Sequence, residues 1–190
     1  YPGRPVVVTT TTPTGSERVR ALLGDAVHHS YLPYDLPGAV RRFLKATDPA
    51  LVVVMETELW PNLFAACRQR GVPAMVVNAR LSPRSFRGYR RLRPLIAGAL
   101  ERAALILAQT EADAERFRAL GAPAGRVHAV GNLKYDQALP AGVAETGRAL
   151  RRDWGEGRAV WVAASTHPGE EEQVLAAHQR LRADFPDALL

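Results

Sequence analysis

The sequence predicts an α/β protein built on a doubly wound parallel sheet, with the opening of a second Rossmann-like domain behind it. Three observations predict this. Short apolar runs alternate with helical segments along most of the chain. The runs are continuous, as in Leu51-Val52-Val53-Val54-Met55, and the rhythm lapses once, near residues 136–157, before resuming. Unbroken Val-rich runs read as strands covered on both faces, and repeated strand–helix units imply parallel pairing through crossover helices.

In chain order, strands are expected at 5–9, 26–29, 51–55, 75–78, 105–108 and 127–130. Helices are expected at 16–23, 36–46, 58–70, 111–120 and in a basic stretch running to 102. Gly24, Gly71 and Gly121 sit where helices stop, and Pro73 and Pro123 follow two of them. Residues 1–135 then form a first domain and 136–157 a linker, where Pro140, Gly142, Gly147, Gly155 and Gly157 surround a short amphipathic helix. Residues 158–190 open a second domain: a strand at 159–164, a polar turn over 165–169 and a helix at 170–183. The start at Tyr1 and the stop within an apolar stretch lead to the expectation of an internal fragment.

The chain has 190 residues, 47% hydrophobic and 23% charged, which fits a globular protein and argues against disorder. Its formal charge of +6 points to an anionic partner: nucleic acid, a phosphorylated ligand or a membrane surface. Cys67 stands alone, so no internal disulfide forms, and its expected role is small buried filler. No window reaches the roughly 18 apolar residues of a membrane span.

Chemistry is sought where apolar runs end. Glu56 and Glu58 follow a strand, and in open α/β sheets ligands bind outside the carboxyl ends of the strands. Either could instead cap the next helix, Glu58 more readily than Glu56, and Trp60 suits a core more often than a ligand platform. Residues 9–16 crowd hydroxyls and Gly15 between a strand and a helix start, a place that favours an anion. The alternative is a turn stiffened by Pro13 with Ser16 as helix cap. Residues 80–93 carry six arginines and no acid, with Leu81, Phe86, Tyr89 and Leu92 interleaved. That pattern suits anionic headgroups, a phosphorylated lipid, RNA or simply a solvated face. Lys134 lies just past the last strand of the first domain, where its ammonium could reach an interdomain cleft. His28, His29 and His167 fit no metal spacing.

Several stretches together resemble one family. Met55-Glu56-Thr57-Glu58-Leu59-Trp60-Pro61-Asn62 looks like the signature of the 3-deoxy-D-manno-octulosonic acid (Kdo) transferases, which add Kdo to lipid A. Thr9-Thr10-Thr11-Thr12-Pro13-Thr14-Gly15-Ser16-Glu17-Arg18-Val19, Tyr31-Leu32-Pro33-Tyr34-Asp35, Asn78-Ala79-Arg80-Leu81-Ser82 and Gly131-Asn132-Leu133-Lys134-Tyr135-Asp136 match in the same order, so the resemblance spans the chain. It implies a GT-B glycosyltransferase that moves Kdo from a CMP-Kdo donor to lipid A with inversion, with no cofactor, no metal and no nucleic-acid partner. By the same resemblance, Glu56 and Lys134 stabilise the transition state. Thr12, Thr14, Gly15, Ser16, Glu58, Trp60, Asn62, Asn78, Arg80, Ser82 and Arg84 face the acceptor, and Ser165, Thr166, His167, Gly169, Glu170 and Glu171 face the donor. The family's general base sits in a Ser-Val-Gly-Glu type motif, which this sequence lacks and which is expected upstream of Tyr1. The setting implied is the cytoplasmic face of an inner membrane, reached through the basic segment Arg80 to Arg93. Two rival readings stand beside it: a GT-B enzyme or epimerase using another nucleotide sugar, and a basic nucleic-acid-binding α/β module. The second lacks the aromatic pattern of single-strand binders.

Overall fold

The computed structural model describes residues 3–136 and 138–190; Tyr1, Pro2 and Gln137, the last within the predicted linker, lie outside the described residues. The chain forms two compact units, Tyr1–Asp136 and Gln137–Leu190.

The first unit is α/β with every strand pairing parallel. β1 (Val7–Thr10) and β2 (His28–Tyr31) form one sheet around α1 (Pro13–Leu23). β3 (Val52–Met55), β4 (Ala74–Ala79), β5 (Leu105–Ala108) and β6 (Val127–Ala129) form a second, in that spatial order. Its crossovers are α3 (Pro61–Gln69), the pair α4 (Pro83–Arg91) and α5 (Arg93–Arg102), and α6 (Glu111–Leu120); α2 (Pro37–Thr47) leads from β2 to β3. Parallel neighbours need such crossovers, and they leave all carboxyl ends of a sheet along one edge. The core gathers Val40 and Leu44 of α2, Phe64 and Cys67 of α3, Leu100 of α5 and Phe117 of α6 over Val54, Val76 and Ile106. Burial pushes the Cys67 thiol above its usual pKa, opposed by nearby Arg70, so the residue acts as packing filler. Gly121 ends α6 with φ 112°, and a Cβ there would come within 2.7 Å of Ala97 Cβ, so glycine is what lets α6 close against α5.

Several elements differ from the sequence reading, each for a local reason. α1 starts at Pro13, because Thr12 caps it by accepting from Gly15 N at 3.1 Å; Ser16 therefore lies inside the helix and is not its cap. β2 is displaced to 28–31 because Gly24–Ala26 folds into a 3₁₀ turn before His28 N bonds to Val6 O. α3 starts at Pro61, leaving Glu58 ahead of the helix, so neither Glu56 nor Glu58 caps it. β3 is not covered on both faces: Val54 is buried at 8%, but Val53 and Met55 are 49% and 47% exposed, since the packed helices reach only the Val54 side.

The second unit carries α7 (Val143–Trp154), which falls within the stretch expected as a linker, and α8 (Glu170–Asp184), which follows the polar turn. The strand expected at 159–164 is reduced to a parallel bridge between Val160 and Leu189. A strand needs a ladder, and among the described residues this segment pairs only with the Leu189 backbone, through Trp161 N to Leu189 O and Leu189 N to Ala159 O.

Candidate active site at the carboxyl ends of the strands

Each strand of the larger sheet delivers a polar residue at its carboxyl end: Glu56 after β3, Asn78 near the end of β4, Gln109 after β5 and Lys134 in the 3₁₀ turn Leu133–Asp136 after β6. Glu56 and Asn78 both have left-handed backbones, at φ 58° and 52°. Non-glycine residues rarely occupy that region, and they tend to cluster at functional sites. Glu56 N continues the ladder to Val77 O at 2.9 Å, which places it beside Asn78, and its side chain is exposed.

Asn78 is the junction of this edge. Its backbone O accepts from Gln109 Nε2 at 3.0 Å and its Oδ1 accepts from Leu133 N at 3.1 Å. Asn132 Nδ2 donates to Gln109 Oε1 at 2.9 Å, and Asn132 Oδ1 accepts from Lys134 N at 3.1 Å. The backbone bearing Lys134 is thus fixed while its side chain is exposed, with Nζ 5.5 Å from the Tyr135 ring centroid.

The loops after β2 and β3 meet through Asp35. Its Oδ2 accepts from Asn62 N and its Oδ1 from Leu63 N, both at 2.9 Å, while Asn62 Nδ2 donates to Asp35 O at 2.6 Å. Asp35 therefore supplies the α3 cap that Trp60, at the N-cap position, does not provide; Trp60 Nε1 instead donates to Glu58 at 3.1 Å. Asn62 is thereby committed to the loop junction.

At the end of β1, Thr10 Oγ1 and Ser16 Oγ meet the two nitrogens of His29 at 3.0 and 3.5 Å. Ser16 is buried there, whereas Thr12 and Thr14 are exposed. A Cβ on Gly15 would sit 3.1 Å from both Thr10 Cβ and Thr12 Oγ1, so glycine permits the close approach of helix and strand.

The segment Arg80 to Ser82 is clamped by α6. Asp113, 5% exposed, accepts from Leu81 N at 2.9 Å and from Thr110 Oγ1 at 2.5 Å. Arg116 Nη1 reaches both Asp113 Oδ1 and Leu81 O. Beyond it, Ser82 caps α4 by accepting from Ser85 N. Three of the four apolar residues interleaved in this segment turn inward: Leu81 is fully buried, and Phe86 and Tyr89 pack on the core. They anchor α4, so Arg84, Arg87, Arg90, Arg91 and Arg93 project outward beside exposed Leu92 and Leu95.

In the second unit, Ser165 is left-handed at φ 60°. Thr166 donates to Glu171 at 2.8 Å, and Glu170 accepts from His167 N at 2.9 Å, with Gly169 at the cap of α8. The hydrogen bond from Thr166, with backbone donors at the helix start, holds the Glu171 carboxyl below its usual pKa. Thr166 and Glu171 share the wall of a concavity with Trp161, Val174 and Leu175. Ser165, His167, Gly169 and Glu170 are exposed around the turn.

The sequence reading missed Asp35, Gln109, Asp113 and Arg116 as members of this constellation. Thr110-Glu111-Ala112-Asp113 does carry a capping signature, but nothing local shows that Asp113 also reaches Leu81. The bonds of Asp35, Gln109 and Arg116 cross between elements far apart in the chain.

Comparison with known proteins bears on this edge. A family model described as 3-deoxy-D-manno-octulosonic-acid transferase (kdotransferase) matches residues 1–137. The 3-deoxy-D-manno-octulosonic acid transferase of Haemophilus influenzae is 42% identical over 190 residues, covering 100% of this chain and 44% of that protein. The Bordetella pertussis protein of the same name is 40% identical, covering 99% and 45%. A probable mitochondrial 3-deoxy-D-manno-octulosonic acid transferase of Arabidopsis thaliana is 35% identical, covering 97% and 42%. The chain thus spans less than half the length of these relatives. Among solved structures, UDP-GlcNAc 2-epimerase from Neisseria meningitidis superposes with a TM-score of 0.57 at 13% identity, over 97% of this chain and 55% of that one. At that identity the likeness speaks to the fold, which is of the GT-B type.

Proposed function

The chain belongs to the 3-deoxy-D-manno-octulosonic-acid transferase family, and from that premise we propose that the protein containing it transfers Kdo from CMP-Kdo to lipid A with inversion. The observation that carries this reading is that Glu56 and Lys134 lie on one carboxyl edge, with Glu56 N bonded to Val77 O next to Asn78, and Asn78 Oδ1 accepting from Leu133 N next to Lys134. Transfer forms a bond from the acceptor hydroxyl to the anomeric carbon and breaks the bond to the CMP phosphate. Positive charge develops on the sugar and negative charge on the departing phosphate, and fixed groups of opposite sign lower the barrier. Glu56 suits the first charge and Lys134 the second. The base that takes the acceptor proton belongs to the remainder of the protein. Residues 1–135 serve the acceptor and 158–190 begin the nucleotide-sugar domain, with 136–157 as the connection.

In this reading Thr12, Thr14, Gly15, Ser16, Glu58, Trp60, Asn62, Asn78, Arg80, Ser82 and Arg84 shape the acceptor side. Ser165, Thr166, His167, Gly169, Glu170 and Glu171 form the donor side, where hydroxyls at the α8 start suit a phosphate or carboxylate. The test is an assay of the complete protein with CMP-Kdo and lipid A. Release of CMP coupled to Kdo-bearing lipid is expected; equal turnover with a UDP-sugar and none with CMP-Kdo would move the activity to the epimerase-like alternative.

The exposed arginines of α4 and its neighbour would hold the protein to the anionic cytoplasmic face of the inner membrane and to the acceptor's phosphates. Because Phe86 and Tyr89 are committed to the core, the attraction is electrostatic, worth about 1 kcal/mol per basic residue near an anionic surface and fading over roughly 10 Å at 0.1 M salt. Changing Arg84, Arg87, Arg90, Arg91 and Arg93 to Gln in the complete protein should abolish most salt-sensitive binding to anionic vesicles. Unchanged binding at low salt would remove this role.

A further inference from the structure

We propose that Gln109 is a positioning residue for Lys134, holding the turn after β6 at the height the reaction needs. The inference rests on the reading of Lys134 as a charge-stabilising group.

The carboxyl ends of β4, β5 and β6 are joined by the side-chain amides of Gln109 and Asn132 and by the backbone carbonyl and side-chain amide of Asn78. Gln109, from β5, donates through Nε2 to the backbone O of Asn78 on β4 and accepts through Oε1 from Asn132 beyond β6. Asn132 in turn accepts from Lys134 N, and Asn78 Oδ1 accepts from Leu133 N. The two backbone N–H groups at the start of the Lys134 turn are thus held by Asn78 and Asn132, and Gln109 is the group that touches both of those residues. Gln109 is half-buried, as are Asn78 and Asn132, whereas Leu133, Lys134 and Tyr135 are exposed. The lysine is therefore anchored through its backbone, and the anchor runs through one side chain that must donate at one end and accept at the other. A carboxylate cannot do this. Gln109→Glu keeps the shape but sets an acceptor against the Asn78 carbonyl.

Displacing a charged group by about 1 Å can cost on the order of 100-fold in rate. The experiment measures turnover, KM and melting temperature of the complete transferase for Gln109→Glu, Gln109→Ala, Lys134→Ala and the Gln109→Ala/Lys134→Ala double variant. Amide hydrogen exchange at Leu133 and Lys134 is followed in parallel. Gln109→Glu should lower kcat about 10- to 100-fold with KM for CMP-Kdo and melting temperature nearly unchanged, and exchange at both amides should accelerate. In the Lys134→Ala background, Gln109→Ala should have little further effect, because residues that act as one unit are not additive. Normal turnover of both Gln109 variants beside a crippled Lys134→Ala overturns the proposal. A Gln109→Ala loss of equal size with and without Lys134 also overturns it, assigning Gln109 to general folding. If Lys134→Ala itself turns over normally, the underlying reading of Lys134 fails first, and the proposal falls with it for a different and visible reason.

Discussion

Lys134→Ala and Glu56→Gln, each made in the complete protein, are expected to lower turnover about 100- to 1,000-fold, as loss of a group aimed at developing charge usually does. Melting temperature should scarcely move. Both side chains are exposed, and among the described residues the Lys134 ammonium meets nothing stronger than a cation–π contact with Tyr135, so folding owes them little. Glu56→Gln is the informative choice at its position because it preserves size and leaves the left-handed backbone as it is. The measurement is kcat beside thermal unfolding for the same preparations. Near-normal turnover in both variants would strip the carboxyl edge of its assigned chemistry, whereas loss of turnover with loss of folding would make these residues structural.

Asp113→Ala is expected to cost about 3 kcal/mol of stability, the largest structural effect of any single change at this edge. Four groups depend on that carboxylate: its own helix-capping Thr110, the Leu81 N–H, the Arg116 guanidinium and, through Arg116, the Leu81 carbonyl. Removing a buried charge partner leaves the other charge and an N–H unsatisfied, which costs far more than the net worth of the pair. The Arg116 side chain is 27% exposed, so water recovers part of the loss, and the figure is set at the lower end of the range for buried pairs. Asp113→Asn retains an acceptor for Leu81 and should cost about half as much. Urea unfolding of the three proteins checks the order; a loss under about 1 kcal/mol for Asp113→Ala would reduce Asp113 to an ordinary first-turn residue.

The fold class was legible because it depends on patterns short enough to see along the chain. β5 and α6 lie where apolar continuity and helix punctuation place them. What was not legible depends on partners. The run at 159–164 has the composition of a strand but only a single bridge to Leu189. β3 has the composition of a doubly covered strand, yet packed helices meet only one of its faces. At the candidate site, Glu56 and Lys134 stood out through family resemblance, while Gln109 and Asp113 did not, because their bonds close loops of 31 and 32 residues that no local window contains.

Glu56, Asn78 and Ser165 share a left-handed backbone that glycine would adopt freely, and each ends an apolar run. Holding a side chain there costs roughly 1 to 3 kcal/mol per residue, a sizeable share of the 5 to 15 kcal/mol that separates a folded domain from an unfolded one. Random substitution and selection for stability alone would drift these positions toward glycine. At these three positions the chain carries that local cost beneath a carboxylate, an amide and a hydroxyl, side chains that glycine would not supply.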